Sequence, residues 1–333
     1  MASAPSRNQR NHRNHRNEGK TVLVTGGNAG VGYFVAEQLA AAGVLVVLGS
    51  RDAAKAEAAM VSLRSRVPDA QVRHLPLDLA DLSSVRTAGD RLANGSAAGP
   101  AAGPAVDPAV DHLDAVVCNA GVALDDPPRR QTADGHELMF GTNHLGHFAL
   151  TQGLAPLLTA APAARVVTVG SFAARSERLD LDDPQSTEDY RPKRTYGRSK
   201  LAQMSFGFAL DRHLRALDSP VLSVVAHPGG ALDGLTPSRP PVHVPRPGQR
   251  LRTLPAGLLV QGKHAGARPV VRAVLDAEVR GGQLWGPRVF GLRGRPRREP
   301  VPAHMADPEV AARLWSLSAE LVGADPDLGF RFH

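Results

Sequence analysis

A glycine-rich turn between a strand pattern and a helical pattern constrains this sequence more than any other feature. Lys20 to Thr25 is an apolar, β-rich run, and after the turn apolar residues recur at helical spacing through Leu39. Glycines let the backbone turn tightly and approach a pyrophosphate closely, and the N–H groups that begin the helix supply a positive field. A plain strand-to-helix turn is the alternative. We predict that a dinucleotide binds here, at Gly26, Asn28, Gly30, Val31 and Gly32.

The residues after the second apolar run, Val44 to Leu48, bear on which dinucleotide binds. Dinucleotide sites place an acidic residue here when they bind the free ribose hydroxyl, and an arginine nearby when they accept a 2′-phosphate. Ser50 and Arg51 therefore favour NADP over NAD. Asp52 is either the ribose ligand or the N-cap of the helix from Ala53 to Arg66, and we prefer the cap.

Two further strand ends supply candidate cofactor residues. Gln71 to Leu77 ends in Asp78-Leu79, whose carboxylate either accepts from an adenine amino group or caps the helix Leu82 to Leu92. Leu113 to Cys118 ends in Asn119-Ala120-Gly121. Apolar neighbours make Cys118, the single cysteine, a core residue rather than a nucleophile.

The repeated strand–helix alternation predicts one α/β domain, a Rossmann-type doubly wound parallel sheet flanked by helices. The alternation spans residues 19–290 and resumes after a low-complexity loop at 94–110, so this loop is not a domain boundary. Residues 1–18 are basic and polar with almost nothing to bury, which predicts a disordered tail. Residues 291–333 form a C-terminal extension with a terminal helix.

Tyr196-Gly-Arg-Ser-Lys200 is the candidate catalytic segment. A separation of four puts both side chains on one helix face, about one turn apart. A free tyrosine titrates near pH ~10, so it is a poor acid or base at neutral pH unless a positive charge favours the phenolate. Lys200 would supply that charge. The same spacing also fits an ordinary surface pair, so the catalytic hypothesis depends on the surrounding residues.

Two polar residues occupy positions that suit a site. Asn143 lies within a predicted helix from Gly135 to Leu158, where an asparagine is unfavourable. Ser171 follows the strand Arg165 to Val169 at the carboxyl edge of the sheet, where ligands bind in open α/β folds, and it is well placed to bind a substrate oxygen.

Other segments are predicted from pattern alone. His144 and His147 lack a third metal ligand, so we predict no metal site and interpret them as packing or surface residues. The proline-rich residues 235–265 form a lid or substrate wall. The last predicted elements are a helix from Arg268 to Val279, a strand at Gln283 to Trp285, a basic turn at Arg293 to Arg298 and a helix from Pro308 to Leu321.

In this order, the motifs resemble the short-chain dehydrogenase/reductase family, and within it the retinol-dehydrogenase-like and bacterial carbonyl-reductase branch. The match runs from Thr21 to about Pro287 and rests on Thr25-Gly26, Gly30, Gly32, Asp78-Leu79, Asn119-Ala120-Gly121, Asn143, Ser171, Tyr196, Lys200 and Pro228-Gly229.

The resemblance implies a mechanism and a homo-oligomer. Tyr196 would deliver a proton to a carbonyl oxygen while the nicotinamide of NADPH delivers hydride to its carbon, and Ser171 would hold the developing oxyanion. Lys200 would bind the ribose and favour the phenolate, Asn143 would hold a water, and Pro228-Gly229 would contact the cofactor. Relatives often carry a threonine four residues after that glycine, where this sequence has Asp233.

These features predict an NADPH-dependent reductase of a ketone or aldehyde on a small organic molecule, or the reverse alcohol oxidation. The alternative is an NADP-binding relative with a non-redox or sensory role. The net charge of +7 raises nucleic acid or an anionic membrane surface as a partner, but arginine is scattered and only 4% of residues are aromatic. No apolar run approaches the ~18 residues of a membrane span. We therefore expect a cytoplasmic protein without nucleic-acid or membrane partners, and the Ala, Gly, Pro and Arg content suggests a bacterial source.

Overall fold

The computed structural model describes residues 17–95 and 109–323. The predicted disordered tail at 1–18 and the predicted low-complexity loop at 94–110 lie outside the described residues except at their ends, so both stay predictions.

Ten strands occur in the described part of the chain: β1 Thr21–Thr25, β2 Leu45–Ser50, β3 Val72–Pro76, β4 Ala115–Cys118, β5 Arg165–Val169, β6 Leu222–Ala226, β7 Ala231–Leu232, β8 Gln261–Gly262, β9 Leu284–Val289 and β10 Arg293–Glu299. Eight of them form one sheet in the order β10-β9-β6-β5-β4-β1-β2-β3, while β7 and β8 pair separately. All neighbours in the large sheet are parallel except β9 and β10. The predicted doubly wound sheet is therefore confirmed, and its strand order reverses between β1 and β4.

The α-helices of the described residues are α1 Gly30–Ala40, α2 Ala53–Arg66, α3 Leu82–Asn94, α4 Leu138–Phe140, α5 Gly146–Gly153, α6 Ala155–Thr159, α7 Pro192–Ala216, α8 Gln249–Thr253, α9 Lys263–Gly266, α10 Arg268–Leu275 and α11 Pro308–Val322. They cover both faces of the sheet. In β1, Leu23 packs with side chains of α3, α5 and α7, whereas Val22 and Val24 pack with those of α1, α2 and α10. Strand side chains alternate between faces, so one short apolar run anchors both helical layers.

The helix predicted from Gly135 to Leu158 begins at Leu138 and is not uniform. Gly141–Leu145 forms a π-helical turn between α4 and α5. A side chain at Gly141 would come 2.5 Å from Thr132 Cγ2, so only glycine fits this close approach. The turn presents the Asn143 side chain to partners outside the helix, which explains how an asparagine is accommodated there.

Two C-terminal predictions were wrong. Residues 293–298, predicted as a basic turn, belong to β10, which pairs antiparallel with β9 at the edge of the sheet. An exposed edge strand of arginine, glycine and proline has no apolar alternation by which to recognise it. The sheet thus continues past residue 290, where the sequence predicted an extension to begin. The helix at Arg268 also ends earlier, at Leu275.

Candidate active site

A cavity of about 550 Å³ opens at the carboxyl ends of the strands, where the strand order reverses. This edge is where open α/β sheets bind ligands. The predicted site residues that line it are Gly26, Asn28, Gly30, Val31, Ser50, Arg51, Asp78, Leu79, Asn119, Ala120, Gly121, Tyr196, Lys200 and Pro228. Gly32, Asn143, Ser171 and Gly229 are predicted residues outside the cavity lining.

The glycine turn brings the backbone close to the cavity. Gly26 has a positive φ of 63°, and its N–H donates to the carbonyl oxygen of Gly49 at 2.7 Å. A side chain at Gly32 would come 2.3 Å from Asn119 Nδ2 and 2.4 Å from the carbonyl oxygen of Gly26. Gly32 therefore packs closely against the turn and does not line the cavity.

Helix α1 begins at this turn with its N-terminal N–H groups uncapped by any described side chain. Its N-cap residue is Ala29, and the first turn carries no acidic residue. An uncapped helix start with its positive dipole end facing a cavity suits an anion such as a diphosphate.

Thr25 fixes the loop after β4, a role that sequence reasoning did not assign. Its buried Oγ1 accepts hydrogen bonds from the backbone N–H groups of Asn119 and Ala120, both at 2.9 Å. The Asn119 amide in turn donates to the carbonyl oxygen of Thr25 at 2.8 Å. These bonds hold the two loops that face the cavity in a single register.

Basic residues lie at the end of β2. The preferred interpretation of Asp52 is confirmed, because it is the N-cap of α2 and its Oδ1 accepts from the Lys55 N–H at 3.0 Å. This backbone hydrogen bond lowers the pKa of Asp52. Lys55 Nζ lies 3.2 Å from the same carboxylate and lines the cavity with Arg51. Sequence reasoning missed Lys55, whose only signal was its place in the first helical turn after Arg51.

Asp78 is not a helix cap. Asp81 caps α3 by accepting from the N–H groups of Ser83 and Ser84. The Asp78 carboxylate accepts from the Ala80 N–H at 3.0 Å and faces the cavity. The remaining hypothesis for Asp78 is a contact with the adenine.

Tyr196 and Lys200 both lie on α7 and both line the cavity. Lys200 is buried, and its Nζ donates to the carbonyl oxygen of Val169 at 2.6 Å and to Gln203 Oε1. Burial lowers the pKa of Lys200 to about 7, while the nearby Cys118 acts in the opposite direction. Burial also raises the pKa of the Cys118 thiol to about 12, so this cysteine is an inert core residue as predicted.

A buried polar network surrounds Lys200. Gln203 Nε2 donates to the carbonyl oxygen of Cys118 at 2.9 Å and lies 3.2 Å from His147 Nδ1. His147 Nε2 lies 2.9 Å from Thr25 Oγ1. Burial, together with the Lys200 charge, lowers the pKa of His147 to about 3, so the ring is neutral. The network connects Lys200 to Thr25, the last residue of β1.

Of the two interpretations offered for His144 and His147, packing is confirmed and surface exposure is wrong, because both rings are fully buried. Asn143 is also buried. Its Oδ1 accepts from the Val122 N–H at 2.7 Å, and its Nδ2 donates to Ser199 Oγ at 2.8 Å. Its backbone carbonyl oxygen lies 3.0 Å from His147 Nδ1. Asn143 thus ties the π-helical turn to α7 beside the catalytic candidates.

Ser171 caps a 3₁₀ turn, Phe172–Ser176, that follows β5. Its Oγ accepts from the Ala173 N–H at 3.2 Å, which leaves the hydroxyl hydrogen to donate elsewhere. Asp233 is outside the cavity lining, and its carboxylate pairs with Lys263 Nζ at 2.5 Å and lies 3.7 Å from His243 Nδ1.

Comparisons with known proteins agree with this geometry. The family model described as short chain dehydrogenase matches residues 20–180. The chain is 33% identical to human Retinol dehydrogenase 13 over 312 residues, which cover 92% of this chain and 86% of that protein. It is 35% identical to mouse Polyprenol dehydrogenase over 312 residues, with 92% of this chain and 84% of that protein covered.

A solved structure covers nearly the whole chain. An uncharacterized protein from Mycobacterium Paratuberculosis superposes with a TM-score of 0.70 at 34% identity, covering 92% of this chain and 95% of its own. Within the described residues, no helix is long and apolar enough to cross a bilayer. No group of three or more His, Cys, Asp or Glu side chains in that part of the chain is arranged to hold a metal ion.

Proposed function

This chain belongs to the short-chain dehydrogenase/reductase family, in its retinol-dehydrogenase-like branch, and on that premise we propose that it interconverts an alcohol and its aldehyde or ketone with NADP(H). Membership makes it an oxidoreductase that uses a nicotinamide cofactor. One observation carries the finer proposal: Tyr196 and Lys200 line the same cavity as the glycine turn and Arg51.

The residues around the cavity fit NADP. The uncapped start of α1 suits the diphosphate, and Arg51 with Lys55 suits a 2′-phosphate. Asp78 and Leu79 would contact the adenine, and Asn119, Ala120, Gly121, Pro228 and Gly229 the remaining length of the dinucleotide. NADP, when bound, would exchange hydride with the substrate carbon through its nicotinamide.

The chain's own residues would manage the proton and the substrate oxygen. In the direction of reduction, Tyr196 gives its phenolic proton to the substrate oxygen, and in the reverse direction the phenolate takes that proton back. In its protonated form Lys200, one helical turn away and held by Val169 and Gln203, stabilises the phenolate. The Ser171 hydroxyl donates its hydrogen to the same substrate oxygen, and Asn143 positions the helix that carries the pair.

We propose an apolar substrate class. The relatives whose names specify a substrate act on retinol or polyprenol, which are apolar alcohols. Phe172 directly follows Ser171 and is 41% exposed, so a partly exposed apolar side chain is adjacent in the chain to the proposed oxyanion donor.

The deciding experiment compares wild type with Tyr196→Phe on NADPH and NADH, using a panel of apolar and polar aldehydes and ketones. We expect NADPH-dependent turnover that falls about 10²- to 10⁴-fold in Tyr196→Phe, while the affinity for NADPH stays within a few-fold. Tyr190→Phe is the matched control, since that phenol lies outside the cavity lining, and it should leave turnover unchanged.

Other outcomes would redirect the proposal. Tight NADPH binding without oxidation by any carbonyl on the panel would favour a non-redox or sensory role. Turnover that survives in Tyr196→Phe would remove the tyrosine from the mechanism. Binding of neither cofactor would overturn both hypotheses.

A further inference from the structure

The proline-rich segment after β7 carries an apolar helix face that points away from the protein. Leu251, Leu254 and Leu258 are spaced three and four residues apart across α8 and the 3₁₀ turn Pro255–Leu258, so they share one side. They are 73%, 60% and 76% exposed. The opposite side meets the protein, because a side chain at Gly234 would come 2.4 Å from Thr253 Oγ1. This amphipathic segment is thus inverted relative to a helix that packs on a core.

The turn between β9 and β10 extends the exposed apolar surface. Phe290 at its tip is 78% exposed. Arg293, just past the turn, donates through Nη1 to the carbonyl oxygens of Gly257 at 2.5 Å and Leu258 at 3.0 Å. We call the resulting surface the apolar rim, defined as Leu251, Leu254, Leu258, Leu259 and Phe290. Single exposed apolar residues need no explanation, but a group of this size indicates a binding surface.

The apolar rim lies beside the mouth of the candidate active site. Gln261 Nε2, two residues after the rim's last leucine, donates to the carbonyl oxygen of Pro228 at 2.9 Å, and Pro228 lines the cavity. On the other flank, Gly230 N–H donates to the carbonyl oxygen of Leu292 at 3.0 Å. Both segments of the rim are therefore hydrogen-bonded to the turn that borders the site.

The two chain segments that carry the rim contain basic residues and no acidic ones. The sequence has no Asp or Glu between residues 234 and 275, nor between 279 and 298. Arg246, Arg250 and Arg252 are exposed within the same segment as the leucines. None of these three arginines forms an ion pair with another described residue. Aliphatic side chains flanked by unpaired guanidinium groups match a surface that is both apolar and anionic.

We propose that the apolar rim docks on the surface of a bilayer containing acidic lipids, with the leucines and Phe290 inserted below the headgroups and the arginines against lipid phosphates. A second copy of the chain is a poorer occupant, because a two-fold contact would bring together the arginines of both copies with no acidic residue in either rim segment to pair with them. Nucleic acid fits less well, since Phe290 is the only rim residue whose ring can stack on a base. The sequence led us to expect no membrane partner because its arginines are scattered, whereas the fold exposes Arg246, Arg250 and Arg252 in the same segment as exposed leucines.

This inference goes beyond the proposed function. It assigns the protein to a bilayer surface, whatever reaction it catalyses. One consequence rests on the proposed function: an apolar alcohol dissolved in the bilayer would reach the cavity mouth without crossing water.

Vesicle co-sedimentation of the full 333-residue chain tests the proposal. Wild type should bind vesicles of mixed phosphatidylcholine and phosphatidylglycerol more tightly than phosphatidylcholine alone. The variant Leu251→Ser/Leu254→Ser/Leu258→Ser should bind the mixed vesicles about tenfold or more weakly, because three side chains no longer insert. Val61→Ser/Leu217→Ser removes apolar residues outside the rim that are 53% and 38% exposed, and it should bind like wild type.

Further measurements keep a negative result interpretable. The basic N-terminal tail is present in every variant, so equal vesicle binding by wild type and the leucine variant would overturn the proposal. NADPH binding, measured on each variant without vesicles, shows that the fold is intact and separates this test from failure of the proposed function. A second variant, Arg250→Ser/Arg252→Ser, should lose only the preference for acidic lipid. Light scattering that shows a wild-type dimer converted to a monomer by the leucine substitutions would overturn the proposal in favour of self-association.

Discussion

The glycine turn after β1 lines the cavity, the apolar rim is hydrogen-bonded to the turn at its border, and the two are built in opposite ways. At the turn, backbone atoms approach so closely that a Cβ at Gly32 would come 2.3 Å from Asn119 Nδ2. At the rim, large side chains point outward, and a Cβ at Gly257 would meet only ordinary contacts at 3.5 Å and beyond. The turn is specified by steric fit and tolerates little change, whereas the rim can change its side chains without disturbing the fold.

The largest expected effect tests this steric contrast. Gly32→Ala should abolish cofactor binding and lower the free energy of unfolding by about 3 kcal/mol, because the added methyl group meets backbone that cannot move aside. Gly257→Ala, the matched substitution near the rim, should change stability by less than about 0.5 kcal/mol. Urea denaturation and NADPH titration check both. Equal effects of the two substitutions would remove the contrast.

An ion pair joins the proline-rich segment to α1, the helix that follows the glycine turn. Its removal should give the next largest effect. Arg239, in the proline-rich segment, binds Glu37 of α1 through Nε at 2.5 Å and Nη2 at 2.9 Å. Arg239→Met leaves the buried Glu37 carboxylate with only His264 Nε2, 3.9 Å away, as a partner among the described residues and should lower the free energy of unfolding by about 2 kcal/mol. Arg313→Met, which removes an exposed pair with Asp182, should cost about 0.5 kcal/mol or less. Thermal or urea denaturation distinguishes the two.

The basic residues that line the cavity and those beside the rim should bind different anionic groups. Arg51→Ser/Lys55→Ser should weaken NADPH binding about tenfold to a hundredfold, because charge-assisted hydrogen bonds to the 2′-phosphate are lost. NADH binding should change little. Arg250→Ser/Arg252→Ser at the rim should leave both affinities unchanged. Fluorescence titration with both cofactors checks this, and equal losses for NADPH and NADH would contradict the assignment of Arg51 to the 2′-phosphate.

The smallest expected effect is a pH dependence caused by the buried Lys200. Its pKa is about 7 in the folded chain, below its ordinary value of 10.5, so between these values the unfolded chain binds more protons. Stability therefore rises with pH in this window, by at most about 1.4 kcal/mol per pH unit. The stability difference between wild type and Lys200→Met should shift by about 1 kcal/mol from pH 7.5 to 8.5. Lys193→Met, an exposed lysine on the same helix, should show no such shift.

Local sequence patterns predicted much of the fold and identified most of the residues that line the cavity. Strands β1, β2 and β4 are mostly buried and apolar, and parallel strands bring their carboxyl ends to one edge, so Gly26, Ser50, Asp78 and Asn119 line one cavity. Strand β10 was missed because an exposed edge strand has no buried face to produce alternation. Lys55 was missed because a lysine in a first helical turn has no distinguishing pattern.

The sequence alone determined the doubly wound sheet, the cofactor edge and the Tyr196–Lys200 spacing, since each depends on residues close together in the chain. Only the tertiary structure decided that Lys200 is buried against Val169 and Gln203, that Thr25 holds the loop at Asn119, and that Asp233 is directed toward Lys263. It also decided that the leucines of the proline-rich segment face solvent beside Pro228. Burial, pKa and surface exposure depend on contacts between residues distant in sequence, which no local pattern specifies.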